Sequence, residues 1–295
     1  MDFSSYPIVH GVTKDKLKLF GLLTKTTPVF DKIIVHIHGT SGNFYDNAFY
    51  PYIAQVATKN NFSYLQTNNR GAGDWEYEPG EVPHGAALEL FEDSVMDLDA
   101  WMEFCLTHGY NKIILESHSY GNEKVIYYLN KGKYKKNIIG VILLGFNDSV
   151  GTQQRYEKKI EKSYLAEAKE LIQQGKSLSL LSDIFGGIAG EAPLSAQSYM
   201  NYYSPGSELS KTMPLRLGCK LEMYSRIHVP ILAVIGDNDE GEYTIIPIRK
   251  AIELMKRENS RTEAYQIQNC DHGFHGKETE LAKIINKFLI KHYSK

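Results

Sequence analysis

The chain has 295 residues, 42% hydrophobic and 23% charged, with 33 Lys and Arg against 35 Asp and Glu and a net charge of −2. That length allows one large α/β domain, or a core domain carrying an insertion. The near-neutral balance, with opposite charges interspersed, gives no electrostatic basis for binding nucleic acid or an anionic membrane. The three cysteines, Cys105, Cys219 and Cys270, have no metal-ligand spacing. The opening MDFSSYPIVHG lacks the basic-then-apolar pattern of a signal peptide. A reduced, cytoplasmic protein without metal or cofactor is expected.

In chain order, PIVHGV and KLKLFGLL around a turn at Thr13–Asp15 predict an antiparallel hairpin. Lys32 to His38 is almost continuously apolar and ends in Gly39, which suits a strand buried on both faces of a parallel sheet. A helix at 52–59 and a strand at 62–66 follow. Leu90, Val95, Leu98, Trp101 and Phe104 lie at helical spacing and predict a helix over 86–107, stopping before Gly109. Then come a strand at 113–116, a helix at 123–129 and a strand at 138–144. After residue 226 the alternation resumes, with a strand at 229–235, a helix at 248–256, a strand at 263–267 and a final helix at 278–292. Such β-α-β-α order predicts a doubly wound, mostly parallel sheet flanked by helices.

Residues 149–226 have a different texture: a charged helix over 156–174, a Gly-rich stretch at Gly186–Gly190, and the group Tyr199, Tyr202, Tyr203. They read as a helical lid inserted between two core parts, 1–148 and 227–295.

Ligands in such sheets bind beyond the carboxyl ends of the strands, and four strand ends carry reactive side chains. In LESHSYGNEKV, Ser119 stands where a strand turns into a helix, a place that lifts a nucleophile above the sheet. Small residues are needed two before and two after it. Gly121 fills the second place, and Ser117 replaces the glycine usual in the first. His38-Gly39-Thr40-Ser41-Gly42 ends the third strand. Acyl transfer needs two amides aimed at the developing oxyanion, and Thr40 and Tyr120 supply those positions, with Gly39 and Ser41 beside the substrate. Gly236-Asp237-Asn238-Asp239 offers an acid to orient a histidine: Asp239 is preferred, and Asp237 can instead cap the turn. In Asn269-Cys270-Asp271-His272-Gly273-Phe274-His275, His272 follows the strand directly and is the candidate general base. His275 is assigned to helix entry or surface. The order Ser119, Asp239, His272 is that of α/β-hydrolases.

On these residues the chain resembles the α/β-hydrolase superfamily over nearly its whole length. Asn69-Arg70-Gly71-Ala72-Gly73 is similar to the Arg-Gly-x-Gly loop of many members, which implies a structural role near the mouth of the site. HSYGNEKVIYYLNK, VILLGFND, AKELIQQGK and YYSPGSE resemble segments of the family containing fungal siderophore esterases. The resemblance implies a serine esterase acting on a small-molecule ester, a siderophore or another secondary metabolite. An amidase, thioesterase or acyltransferase would share the same acyl-enzyme, and a silent hydrolase fold used for binding is a third reading. Oligomeric state is not legible.

Overall fold

The computed structural model describes residues 7–77, 82–183 and 187–294. Eight strands form one sheet: β1 (Ile8–Val12), β2 (Lys18–Thr24), β3 (Lys32–Ile37), β4 (Ser63–Thr67), β5 (Lys112–His118), β6 (Ile138–Leu144), β7 (Ile231–Gly236) and β8 (Thr262–Ile267). Their spatial order is β1-β2-β4-β3-β5-β6-β7-β8. β1 and β2 form the expected antiparallel hairpin, β2 meets β4 antiparallel, and every later pairing is parallel. The central strands are buried along almost their whole length, as near-continuous apolar runs require when both faces are covered.

Helices cover both faces. α1 (Tyr50–Lys59) and α10 (Glu278–Tyr293) pack on one, with a core that includes Ile34, Ile53, Tyr64, Ile114, Val234 and Phe288. α2 (Ser94–Thr107), α3 (Gly121–Lys131) and α9 (Ile248–Glu258) pack on the other, around Val35, Leu98, Trp101, Leu115, Val125 and Ala251. This is the α/β-hydrolase architecture.

Two expected helices differ in extent. The segment from Ala86 to Leu90 is not helical: Leu90 is extended (φ −105°, ψ 135°) and α2 begins only after a 3-10 turn at Phe91–Asp93. Glu89, in this non-helical segment, pairs with Lys124 inside the core, Nζ to Oε1 2.6 Å. The charged helix expected over 156–174 is two helices, α4 (Ser149–Ile160) and α5 (Leu165–Gln173). The break is set by left-handed Glu161 (φ 52°) and by Tyr164, which is wholly buried and donates its hydroxyl to Asp183. Helical spacing along a charged surface does not register a corner whose cause is a distant partner.

Between β6 and β7 the chain also forms α6 (Ala196–Tyr203), α7 (Glu208–Thr212) and α8 (Glu222–Ser225). α8 lies towards the amino end of the sheet, where Asn130 at the end of α3 donates to Met223 O and the Tyr224 hydroxyl meets Thr262 at the start of β8. Of the Gly-rich stretch, Gly186 lies outside the described residues. Asp148 joins this region to the core. It accepts from Gly151 N at the start of α4, and from the amide and guanidinium of Arg216 at 2.7 and 2.5 Å. Asp148 is buried, so removing its cation leaves a carboxylate with only backbone donors. Arg216→Ala is expected to cost about 3 kcal/mol, the low end for breaking a buried pair. Urea unfolding measures this, and an unchanged midpoint would contradict it.

Candidate active site

The sequence from β5 into α3 forces an abrupt reversal at Ser119. This residue has φ 55°, a left-handed conformation that costs a non-glycine residue free energy and is kept only where its surroundings hold it. The surroundings are tight. A Cβ on Gly121 would lie 2.3 Å from Ile37 O and 2.8 Å from His38 O, so only glycine lets α3 start against the end of β3. Ser117 is accommodated because β5 is fully enclosed there and its hydroxyl donates to Asn122 Oδ1 at 2.7 Å. Asn122 in turn donates to Leu144 O at 2.8 Å. Ser117 therefore stitches the strand to the first turn of α3 and to β6, a bond that glycine cannot make.

His272 lies on the loop between β8 and α10. Its Nδ1–H donates to Asp239 Oδ2 at 2.7 Å, and Asp239 is almost wholly buried. His272 Nε2 has no hydrogen-bond partner among the described residues. Asp237 faces elsewhere: its carboxylate accepts the Asn269 and Cys270 amides, both at 2.9 Å, and these bonds hold its pKa below the usual value. It shapes the loop that carries His272 and does not touch the ring. His275 is exposed and paired with Asp271 at 2.8 Å. Ser119 and His272 line one cleft, together with Gly39, Thr40 and Ser41. The Ser41 hydroxyl is engaged by Asp74 at 2.6 Å. Gly39 packs on the Ser119 turn, and no acceptor takes the Thr40 or Tyr120 amide among the described residues. The structure thus brings together Ser119, His272, Asp239 and the two free amides.

A buried polar network supports the Gly39–Thr40 loop. His38 Nδ1–H donates to Gly39 O at 2.7 Å and Nε2 accepts from Asn69 N at 3.0 Å, so the ring is neutral, and burial drives its pKa well below the ordinary value. Asn69 Oδ1 accepts from Lys124 Nζ, and Lys124 pairs with Glu89, both side chains being inaccessible. Arg70 is held by Asp97, Asp15 and Asp93, which matches the structural role the resemblance implied for this loop.

Four further residues bear on the site. Tyr243 stacks flat on the His272 ring, centroids 3.8 Å apart and planes 9° apart. Its hydroxyl donates to Glu191 of the segment before α6 at 3.0 Å. His118 donates from Nε2 to His272 O at 2.7 Å, and burial, then the nearby His272 ring, push its pKa down to about 3. Gly145 permits this meeting: a Cβ there would lie 2.9 Å from His272 Cε1 and 3.3 Å from His118 Nε2. Glu123, buried in the first turn of α3, accepts from Ser149 N and Oγ and from Asn147. In the sequence, only position pointed to any of them: His118 beside Ser119, and Tyr243 four residues after Asp239.

The chain matches the family model described as "Protein of unknown function (DUF1749)" over residues 91–290. No curated protein matches it. Among solved structures it is similar to the α/β hydrolase GrgF from Penicillium sp. sh18, with TM-score 0.68, 15% identity, and 98% of this chain and 99% of that one covered. It is also similar to Est1E from Butyrivibrio proteoclasticus with ferulic acid bound, with TM-score 0.62, 13% identity and coverage of 97% and 100%. A third is the Pyrococcus furiosus esterase Pf2001, with TM-score 0.59, 16% identity and coverage of 98% and 91%. At these identities the likeness establishes the fold.

Two measurements check this geometry. Ser117→Ala leaves Asn122 Oδ1 buried without its donor and is expected to cost about 1–3 kcal/mol. An unchanged urea midpoint would argue against the stitch. Glu123 is pushed up to about 8, first by burial and further by Asp148. A carboxyl with an ordinary value of 4.5 then binds more protons folded than unfolded between the two pH values. Stability therefore falls as pH rises from about 4.5 to about 8. Glu123→Gln should flatten that part of the Tm–pH curve, and an undiminished slope would exclude Glu123 as its source.

The chain belongs to the DUF1749 family, and its fold is that of the α/β hydrolases.

Proposed function

We propose that this protein is a serine hydrolase that cleaves a carboxylic ester of a small molecule through an acyl-enzyme on Ser119. The observation that carries the reading is the buried Asp239–His272 pair, whose Nε2 is itself buried and unpartnered among the described residues, on a ring that lines the same cleft as the left-handed Ser119. A neighbour of the same fold that is described as an esterase, Pf2001, is consistent with it.

In this mechanism Ser119 Oγ attacks the carbonyl carbon while its proton passes to His272 Nε2. Asp239, on Nδ1, fixes the tautomer and stabilises the imidazolium. The carbonyl oxygen becomes an oxyanion held by the Thr40 and Tyr120 amides. On collapse the C–O bond to the alcohol breaks, and the alcohol leaves with the proton from His272. Water, deprotonated by His272, then attacks the acyl-enzyme and releases the acid and Ser119. Residues 149–226 act as a lid, with Tyr202 and Tyr203 over the nucleophile. The reaction uses no metal, and the protein works in the cytoplasm without nucleic acid or membrane. Nothing in the fold singles out a siderophore ester.

A fluorophosphonate probe should label the wild type and not Ser119→Ala. The variant's kcat on p-nitrophenyl acetate should fall by about 10⁴-fold or more. An unlabelled wild type, or a Ser119→Ala enzyme of undiminished activity, refutes the assignment.

A further inference from the structure

Ser119 stands between two spaces that differ in size and in aromatic lining. Towards the inserted helices lies a pocket of about 30 Å³, lined by Tyr202, Tyr203, Ile188, Ala189 and Tyr243 together with the polar Asn147, Ser149, Thr152 and Glu191. One water-sized group needs roughly 10–15 Å³ by this measure, so the pocket takes about two such groups. Its walls are fastened. Tyr202 is almost wholly buried and donates its hydroxyl to Glu89, which is itself paired with Lys124. The turn from Ile188 to Ala192 closes on its own backbone, and Ala189 N donates to Gln153 of α4 at 2.6 Å. Tyr243 is held by Glu191 at one end and by its stacking on His272 along its face. Enlarging the pocket means breaking several of these bonds together.

On the other side lies an open cleft of about 380 Å³ that exposes His272. Its lining includes Ser41, Asp46, Asn47, Glu191 and His275, and no aliphatic or phenyl side chain. Chemistry decides which part of an ester goes where. The leaving oxygen has to reach His272 Nε2 to receive its proton, so the alcohol lies on the cleft that carries His272. The acyl group then points the opposite way, into the small pocket.

We infer, on the serine-hydrolase reading above, that the substrate is an ester of a short acid, acetyl to propionyl in size, with a hydroxylated, hydrogen-bonding alcohol. The small pocket sets the acyl limit, and the polar cleft selects the alcohol. A longer chain has to displace fixed aromatic walls. An alkyl alcohol leaves the carboxylates and amide of the cleft without partners to replace water.

The test uses the full chain, a p-nitrophenyl ester series and two alkyl acetates. From p-nitrophenyl acetate to octanoate kcat/KM should fall by about 100-fold or more, within reach of steric exclusion by a packed pocket. Glycerol monoacetate should be cleaved with a kcat/KM about 10-fold above that of n-butyl acetate. Tyr203→Ala should raise the octanoate-to-acetate ratio about 10-fold, and if that variant does not fold, the wild-type series decides alone. Octanoate cleaved as fast as acetate, or butyl acetate preferred, overturns the inference while labelling of Ser119 still upholds the hydrolase. A wild type that neither labels nor cleaves any ester overturns both.

Discussion

The close approach of α3 to the end of β3 is the constraint on which the rest of the site depends. Gly121 abuts the Ile37 and His38 carbonyls, so the chain must reverse at Ser119 within a single left-handed residue. That reversal lifts the serine above the sheet and leaves the Tyr120 amide outside the helical hydrogen bonds. It also sets the Gly39–Thr40 loop beside both. A looser turn would give up all three at once. Strain at one residue is tolerated because the Ser117–Asn122–Leu144 chain of hydrogen bonds ties the turn to two neighbouring strands.

Beneath this turn the core is polar where a hydrophobic core would do as well for stability alone. Lys124, Glu89, Asn69 and His38 are buried and joined from α3 across to the loops after β3 and β4. Buried pairs of this kind add little net stability over apolar packing, but removing one partner is costly. Their effect is geometric: they set the height of the Thr40 loop relative to Ser119. Through Tyr202 they also set the wall that limits the small pocket. One network thus reaches both the Gly39–Thr40 loop and the Tyr202 wall of the small pocket.

His272 is constrained from three directions: Asp239 on Nδ1, His118 on its carbonyl and Tyr243 over its face. A planar ring on the imidazole face restricts tilt in a way that a single hydrogen bond does not. Because Tyr243 also bonds Glu191, the orientation of the imidazole is linked to the segment that covers the serine.

The strands were legible in the sequence because burial on both faces leaves long apolar runs such as 32–37 and 138–144, and the hairpin at 8–24 was legible from its turn. The candidate Ser119, Asp239 and His272 were legible because each follows a strand directly, and their order along the chain is informative. The division of labour between Asp237 and Asp239 was not. Both are acids in one short turn, and only the distance to an imidazole 33 residues away separates them. The corner at Glu161–Tyr164 and the extended Leu90 were hidden because the long-range partners beside them, Asp183 for Tyr164 and Lys124 for Glu89, leave no trace in helical spacing. By itself the sequence determined the strands, most of the helices that flank them and the order of reactive side chains, since these follow from local periodicity and strand-end chemistry. The tertiary structure alone decided the role of Ser117, the stacking of Tyr243 and the unequal spaces on either side of Ser119. These depend on distances between segments far apart in the chain, which no local pattern encodes.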